Sequence, residues 1–177
     1  REGLRTIRGL TRHDPAEFEP RMVALCQSAG VALVFVPELS KTRLSGATRW
    51  LSSDKALVIQ SLRHRTDDHF WFTFFHEAAH VLLHGKRALF VDEADGERTP
   101  AEDVADGFAA DLLIPPAAYK QLVEEGPPSR AQVEKLAKNI GIAPGIVVGR
   151  LQHDGVIPFN RFQNLKRTFR FAAEVVA

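Results

Sequence analysis

The sequence contains one cysteine, Cys26, one methionine and one tyrosine among 177 residues. A lone cysteine allows no intrachain disulfide, which excludes a disulfide-stapled secreted scaffold and fits a reducing cytoplasm. Charge of one sign is not in surplus: 23 Lys and Arg face 22 Asp and Glu, a formal net charge of +1. That balance gives no argument for nucleic acid or an anionic membrane as an obligatory partner. No long hydrophobic run is present either. The most apolar stretch, Trp71 to Leu83, is broken by His76, Glu77 and His80 and is too short to span a bilayer. No signal peptide, internal repeat or low-complexity tract is visible. The chain opens on Arg1 and not on Met, which leaves room for a preceding segment.

What is present is an ordinary globular balance, 45% hydrophobic and 25% charged, enough for a sizeable core. Basic residues gather at the ends, in Arg1, Arg5, Arg8 and Arg12 and in Arg161, Lys166, Arg167 and Arg170. Both clusters read as solvated surface.

Periodicity predicts an amphipathic helix over Ala16 to Ala29, with Pro20 tolerable only in its first turn, and a stop at Gly30. Strands are expected at Val31 to Val36, Ala47 to Leu51 and Ala56 to Leu62. A long helix follows, capped by Asp67 or Asp68 and ending at Gly85 as a C′ glycine. Ala88 to Val91 reads as a short strand and Asp92 to Arg98 as an acidic loop. Another helix starts at Thr99-Pro100 and ends before Pro115-Pro116. Gly126-Pro127-Pro128 is the best boundary, dividing a unit of residues 1–126 from a helical appendage of residues 127–177. There, Ser129 caps a helix to Asn139, Gly141 turns the chain, and a second helix spans Pro144 to His153. The remainder reads as a loop and a final short segment.

The chemistry lies in Phe75-His76-Glu77-Ala78-Ala79-His80. Two histidines four apart on a helix share one face and can share one metal ion. Glu77 lies about 100° from His76, beside the site, where it can accept a proton from metal-activated water. Zinc suits the imidazoles, and an open ligand position makes such a site catalytic. Phe70, Trp71, Phe74 and Phe75 make the flanks apolar, so the buried histidines need a purpose.

A third ligand is needed. His84 lies eight residues from His76, about 12 Å along the axis, too far to bind the same ion; it reads as packed, or as a partner behind the ligands. Glu102 sits at the edge of an apolar arc formed by Ala105, Phe108, Ala109, Leu112 and Leu113. Yet Thr99-Pro100-Ala101-Glu102 also reads as a capping box. Spacing alone does not choose between ligand and cap.

The stretches FTFFHEAAHVLLHG (72–85) and EDVADGFAADLLIP (102–115) resemble the ImmA/IrrE metallopeptidases. That family has an HExxH helix followed by a helix of the form E-x-x-A-N/D-x-F-A-x-x-L-L-x-P. Glu102 falls on the family's third metal ligand. Asp106 stands where Asn is more usual, and Ala79 where Gly is. GATRWL, IQSLR and IAPGIVVGRLQHDGVIP look like the branch fused behind HTH (helix-turn-helix) repressor domains, as in HigA-like antitoxins. By resemblance, the expected fold is α+β and zincin-like. A small mixed sheet packs on the HExxH helix, and a C-terminal helix pair follows. The resemblance implies an HTH repressor or antitoxin as substrate, and an HTH domain ahead of Arg1.

Two classes of function stand beside each other. One is a zinc endopeptidase with Glu77 as general base. The other is a non-catalytic regulatory module using the metal fold for sensing or protein interaction. Residues 129–153 also have the spacing of a helix-turn-helix, in Ala137, Gly141 and Val147. The candidate recognition helix is too apolar to read bases, so a helical hairpin is favoured and no direct DNA binding is expected. For substrate or transition-state contacts, Tyr119 is a candidate, with packing as its rival. Arg63 is another: it follows a strand that could hold an extended peptide, if that strand is an edge. His84 is the third candidate for such a contact.

Overall fold

A computed structural model describes residues 2–37, 44–63, 65–84, 89–93, 99–124 and 126–170. Seven α-helices and four strands lie within them. The helices are α1 (Glu2–Gly9), α2 (Pro15–Ser28), α3 (Asp67–Leu83), α4 (Pro100–Leu113), α5 (Pro116–Val123), α6 (Arg130–Ile140) and α7 (Pro144–His153). The strands are β1 (Val31–Val36), β2 (Leu44–Trp50), β3 (Ala56–Ser61) and β4 (Leu89–Glu93). The class is α+β and zincin-like, with a mixed sheet on the HExxH helix α3 and the pair α6–α7 after it.

The sheet order is β1-β3-β2-β4. β1 runs parallel to β3, with Val31 opposite Ala56; β2 is antiparallel to both β3 and β4. β3 is therefore an inner strand, both of whose edges are already hydrogen-bonded. The condition on which the strand before Arg63 could hold a peptide by β-augmentation, that it be an edge, is not met; among the described strands the sheet edges are β1 and β4.

α3 is apolar on most of its circumference, so it is buried as a core helix. Phe70, Trp71, Phe74, Phe75 and Ala79 are all buried. Phe18 of α2 packs on Trp71 with ring centroids 4.9 Å apart, and Phe169 meets both Phe18 and Phe70 edge-on. Val133, Ala137, Ile146, Val147 and Leu151 of α6 and α7 join the same buried cluster.

α7 approaches α3 closely because it presents glycines there. A Cβ on Gly145 would overlap the Asp67 carboxylate, and one on Gly149 would overlap that of Asp68. The helix cap is Thr66, without a side-chain cap bond, and not Asp67 or Asp68 as expected. Those two acids bind the C-terminal segment instead. Lys166 Nζ lies 2.6 Å from Asp68 Oδ2. The Arg167 amide donates to Asp67 Oδ1 at 3.1 Å, and its guanidinium reaches Asp67 Oδ2 at 3.4 Å. The same guanidinium donates to the carbonyls of Thr11 and His13. Thr66 pairs with Thr168 in an isolated bridge.

Lys166 and Arg167 are thus not solvated surface, because buried carboxylates need their charge. Arg8 departs from that reading too. Its guanidinium donates to Leu113 O at 3.0 Å and Ile140 O at 2.7 Å, the carbonyl ends of α4 and α6, where a cation is favoured.

α1 and α5 were not anticipated. α1 carries few apolar residues, yet Ile7 and Leu10 are buried at three-residue spacing. α5 starts with Pro116 at its first position, where proline fits; the proline pair ends one helix and opens the next. Pro20 lies inside α2, beyond its first turn. Ala16, whose carbonyl loses its helical donor there, is exposed, so water can replace the bond. Asp92 and Glu93 belong to β4 and not to a loop; Gly85 and the rest of that loop lie outside the described residues. Residues 163–165 form a 3-10 turn in the segment read as a loop. No described helix is long and apolar enough to cross a membrane.

Burial raises the Asp67 carboxyl to about 6, against the pull of Arg167. Its folded value lies above its unfolded one, so Asp67 costs stability at neutral pH and the cost fades as pH falls through 6. Arg167→Met removes the compensating charge. We expect a loss of about 2 kcal/mol at pH 8 that shrinks as pH falls toward 6, when urea unfolding of variant and wild type is compared. A deficit that instead grows toward acid contradicts the pairing.

Candidate metal centre

α3 presents His76 and His80 one turn apart, and α4 crosses that face. α4 is capped by Thr99, whose hydroxyl accepts the Glu102 amide at 3.3 Å. The Glu102 carboxylate is turned away from the cap toward the histidines. Glu102 Oε2 lies 2.9 Å from His76 Nε2 and 3.5 Å from His80 Nε2, and the two Nε2 atoms are 3.0 Å apart. The two explanations of Glu102 therefore divide: Thr99 serves the cap through the Glu102 backbone, and the side chain serves the cluster. The apolar arc beside it is as expected, with Ala105, Ala109 and Leu113 buried.

This triangle fits a metal ion. A tetrahedral ion with bonds of about 2.1 Å sets its ligand atoms about 3.4 Å apart. The outer nitrogens complete the argument. His76 Nδ1 lies 2.9 Å from Asp106 Oδ1, and His80 Nδ1 lies 2.9 Å from His84 Nδ1. With protons on those outer nitrogens, both Nε2 lone pairs and a carboxylate oxygen converge on one point. Three acceptors so placed repel one another unless a cation joins them. His80 is held neutral, the form that ligates: burial first, then His76 and His84, pushes its pKa down to about 3. Asp106 orients His76 as carboxylates commonly orient metal-bound histidines. His84 stands behind His80 and outside the triangle.

Glu77 is fully buried beneath β2. Thr48 Oγ1 donates to Glu77 Oε2 at 2.5 Å. Gly46 abuts the other carboxylate oxygen so closely that a Cβ would overlap it. β2 therefore seats the carboxylate from two sides.

Tyr119 is not brought to this cluster. Its ring lies 4.8 Å from the Arg150 guanidinium, and burial, with Asp154 nearby, raises its phenol above the usual value. Arg63 lines a small cleft with Ser45, His69 and Thr73, on the α3 face that carries the histidines. Thr48, Gly46 and Asp106 had not been singled out for the site. Asp106 carried a signal, since it lies one turn beyond Glu102; Thr48 and Gly46 carried none without the strand register.

One metal ion per chain is expected. His80→Ala and Glu102→Ala should each weaken binding by orders of magnitude. Thr99→Ala should keep the metal and lose about 1 kcal/mol of stability as a missing cap. Full occupancy in His80→Ala, by metal analysis of the purified variant, contradicts the assignment. Stability should fall as pH drops from 6.5 toward 3, because the unfolded chain protonates His80 there and the folded chain does not.

Comparison with known proteins places these residues in a wider set. No curated protein matches the chain. A peptidase family model, described as the IrrE N-terminal-like domain, matches residues 26–152. The match runs from the end of α2 through α7, covers well over half of the sequence, and contains the histidine pair, Glu77 and Glu102. A buried pair of imidazoles facing a carboxylate across two helices is what a metallopeptidase requires, and the chain belongs to the IrrE N-terminal-like peptidase family.

Proposed function

We propose that this chain is a zinc-dependent endopeptidase, with His76, His80 and Glu102 as metal ligands and Glu77 as general base. The observation that carries the reading is the convergence of three ligand atoms beside a buried, seated carboxylate. Two imidazoles and one carboxylate form a donor set that suits zinc and leaves a position open. A zinc ion held there supplies the Lewis acidity that activates water toward a peptide carbonyl.

The protein's own part is proton handling and orientation. Glu77 takes the proton of the attacking water and returns it to the leaving amine. Thr48 and Gly46 hold its carboxylate in one orientation, so that little reorganisation is needed at each turnover. Among the described strands, β4 is the sheet edge next to β2, under which Glu77 lies. An extended substrate backbone pairs there, in place of the inner strand β3.

The substrate we propose is an HTH-type repressor or antitoxin, bound in the cytoplasm, from the resemblance to the branch fused to such domains. Protein and not DNA is the favoured partner. In α7, the helix that would enter the major groove, Gly145, Ile146, Val147, Val148, Leu151 and Gln152 are buried against the rest of the protein. Arg150 is paired with Asp154 at 2.7 Å. The non-catalytic alternative does not explain a seated Glu77, since a structural metal site needs no base.

Glu77→Gln should retain metal and fold and lose proteolysis of an HTH repressor substrate. Cleavage at the wild-type rate in that variant removes Glu77 from the role. Thr48→Val should lower kcat about tenfold or more with KM and metal content unchanged, and Thr48→Ser should restore it. Incubation of the metal-loaded chain with the repressor, read by mass spectrometry, tests the substrate. Sequence-specific retardation of operator DNA by this chain alone would instead make residues 129–153 a DNA reader.

A further inference from the structure

We infer that His84 is a positioning residue of the metal centre: its ring accepts the Nδ1 proton of His80 and so holds that ligand with Nε2 toward the ion. The inference deepens the metallopeptidase reading above and rests on it.

The geometry starts from the way α3 ends. Leu83 is its last residue, and His84 leaves the helix in an extended conformation, φ −109° and ψ 162°. The His84 amide still donates to the His80 carbonyl at 3.3 Å. One residue thus answers its neighbour twice, because the side chain turns toward the His80 ring as well. The ring centroids are 4.9 Å apart with planes at 42°. The two Nδ1 atoms lie 2.9 Å from each other, a hydrogen-bond distance. His84 is half-buried, whereas His80 is 1% exposed. Every polar atom of the inner ring therefore has to be answered by the protein or by the ion.

A count of protons gives the contact its direction. A neutral imidazole has one nitrogen that donates and one that accepts. With the Nε2 lone pair turned to the ion, the His80 proton sits on Nδ1, and a buried N–H needs an acceptor. His84 Nδ1 is at that place. Two N–H groups cannot share one hydrogen bond, so His84 carries its own proton on Nε2 and accepts at Nδ1. The pair has one other neutral arrangement, with His84 donating and the His80 proton on Nε2. That form aims an N–H into the ligand triangle and takes away the lone pair, so it does not ligate.

The hydrogen bond an imidazole makes with one nitrogen decides what the other can do. Asp106 does this for His76 from α4, at 2.9 Å, and His84 does it for His80 from the end of α3 itself. Both ligand rings are then fixed in tautomer and in plane before an ion arrives. Partners of this kind commonly contribute about 10- to 100-fold to metal affinity. Packing alone does not ask for an acceptor here; an apolar ring would fill the same space.

Two variants separate acceptor from filler. His84→Phe keeps a planar ring and removes the acceptor. His84→Asn restores one, since its Oδ1 is as many bonds from Cα as the histidine Nδ1. Zinc affinity is measured by competition with a chromophoric chelator. Phe should weaken it about tenfold or more, and Asn should recover most of the loss. Long-range 1H–15N spectra of the zinc-loaded wild type should show His80 protonated on Nδ1, with its proton shifted by the hydrogen bond. This reading needs no variant and so does not depend on how a variant folds. The shift should be lost in Phe and return in Asn. Wild-type affinity in His84→Phe overturns the inference, as does a zinc-loaded wild type in which His80 lacks the Nδ1 proton. A loss of affinity equal in Phe and Asn, with the His80 proton unchanged in both, assigns His84 to packing and overturns it too. Failure of the wild type to take up zinc overturns the metallopeptidase reading itself.

Discussion

Helix α3 is buried along most of its length, and each polar side chain it turns inward must be answered inside the protein. This single requirement arranges much of the rest. Asp67 and Asp68 at its start draw in Arg167 and Lys166, and with them the C-terminal segment. His76 and His80 are met by Glu102 of α4, with Asp106 and His84 behind them. Glu77 is met by Thr48 of β2. α4, β2 and residues 166–167 each answer one of these inward polar groups.

The histidine pair and Glu77 were legible in the sequence because their spacing is local: a four-residue interval on a helix is already a geometry. Glu102 was half legible. A cap and a ligand ask for the same residue at the same place, and only the direction of the carboxylate separates them. Thr48 and Gly46 were not legible, since their meaning depends on the register of β2 over α3. The basic ends were misread for a related reason. Lys166 and Asp68 are 98 residues apart in sequence, and no window of composition holds both. The amphipathic α2, the strand positions and the α6–α7 pair came through well, because periodicity and turn glycines are local signals. α5 did not, since a proline pair was taken only as an end.

The C-terminal pair gains its character from two glycines. Gly145 and Gly149 stand one turn apart on α7 and let its backbone approach the acidic start of α3. A helix so used is spent on packing. The apolar residues of this stretch with helix-turn-helix spacing lie in the buried core.

The three ligand atoms come from two helices, and the ion they hold would bridge them. Between His80 and Glu102 lie β4 and residues outside the described set, so the bridge closes a loop of moderate length. An ion that binds the folded chain and not the unfolded one would stabilise it by RT ln(1 + [M]/Kd), about 4 kcal/mol at a thousandfold excess over Kd. The packing of α4 on α3 would then be linked to the supply of metal. The free metal concentration around the protein would become a thermodynamic variable of its architecture, and an agent that lowers it would act on the fold as well as on the chemistry.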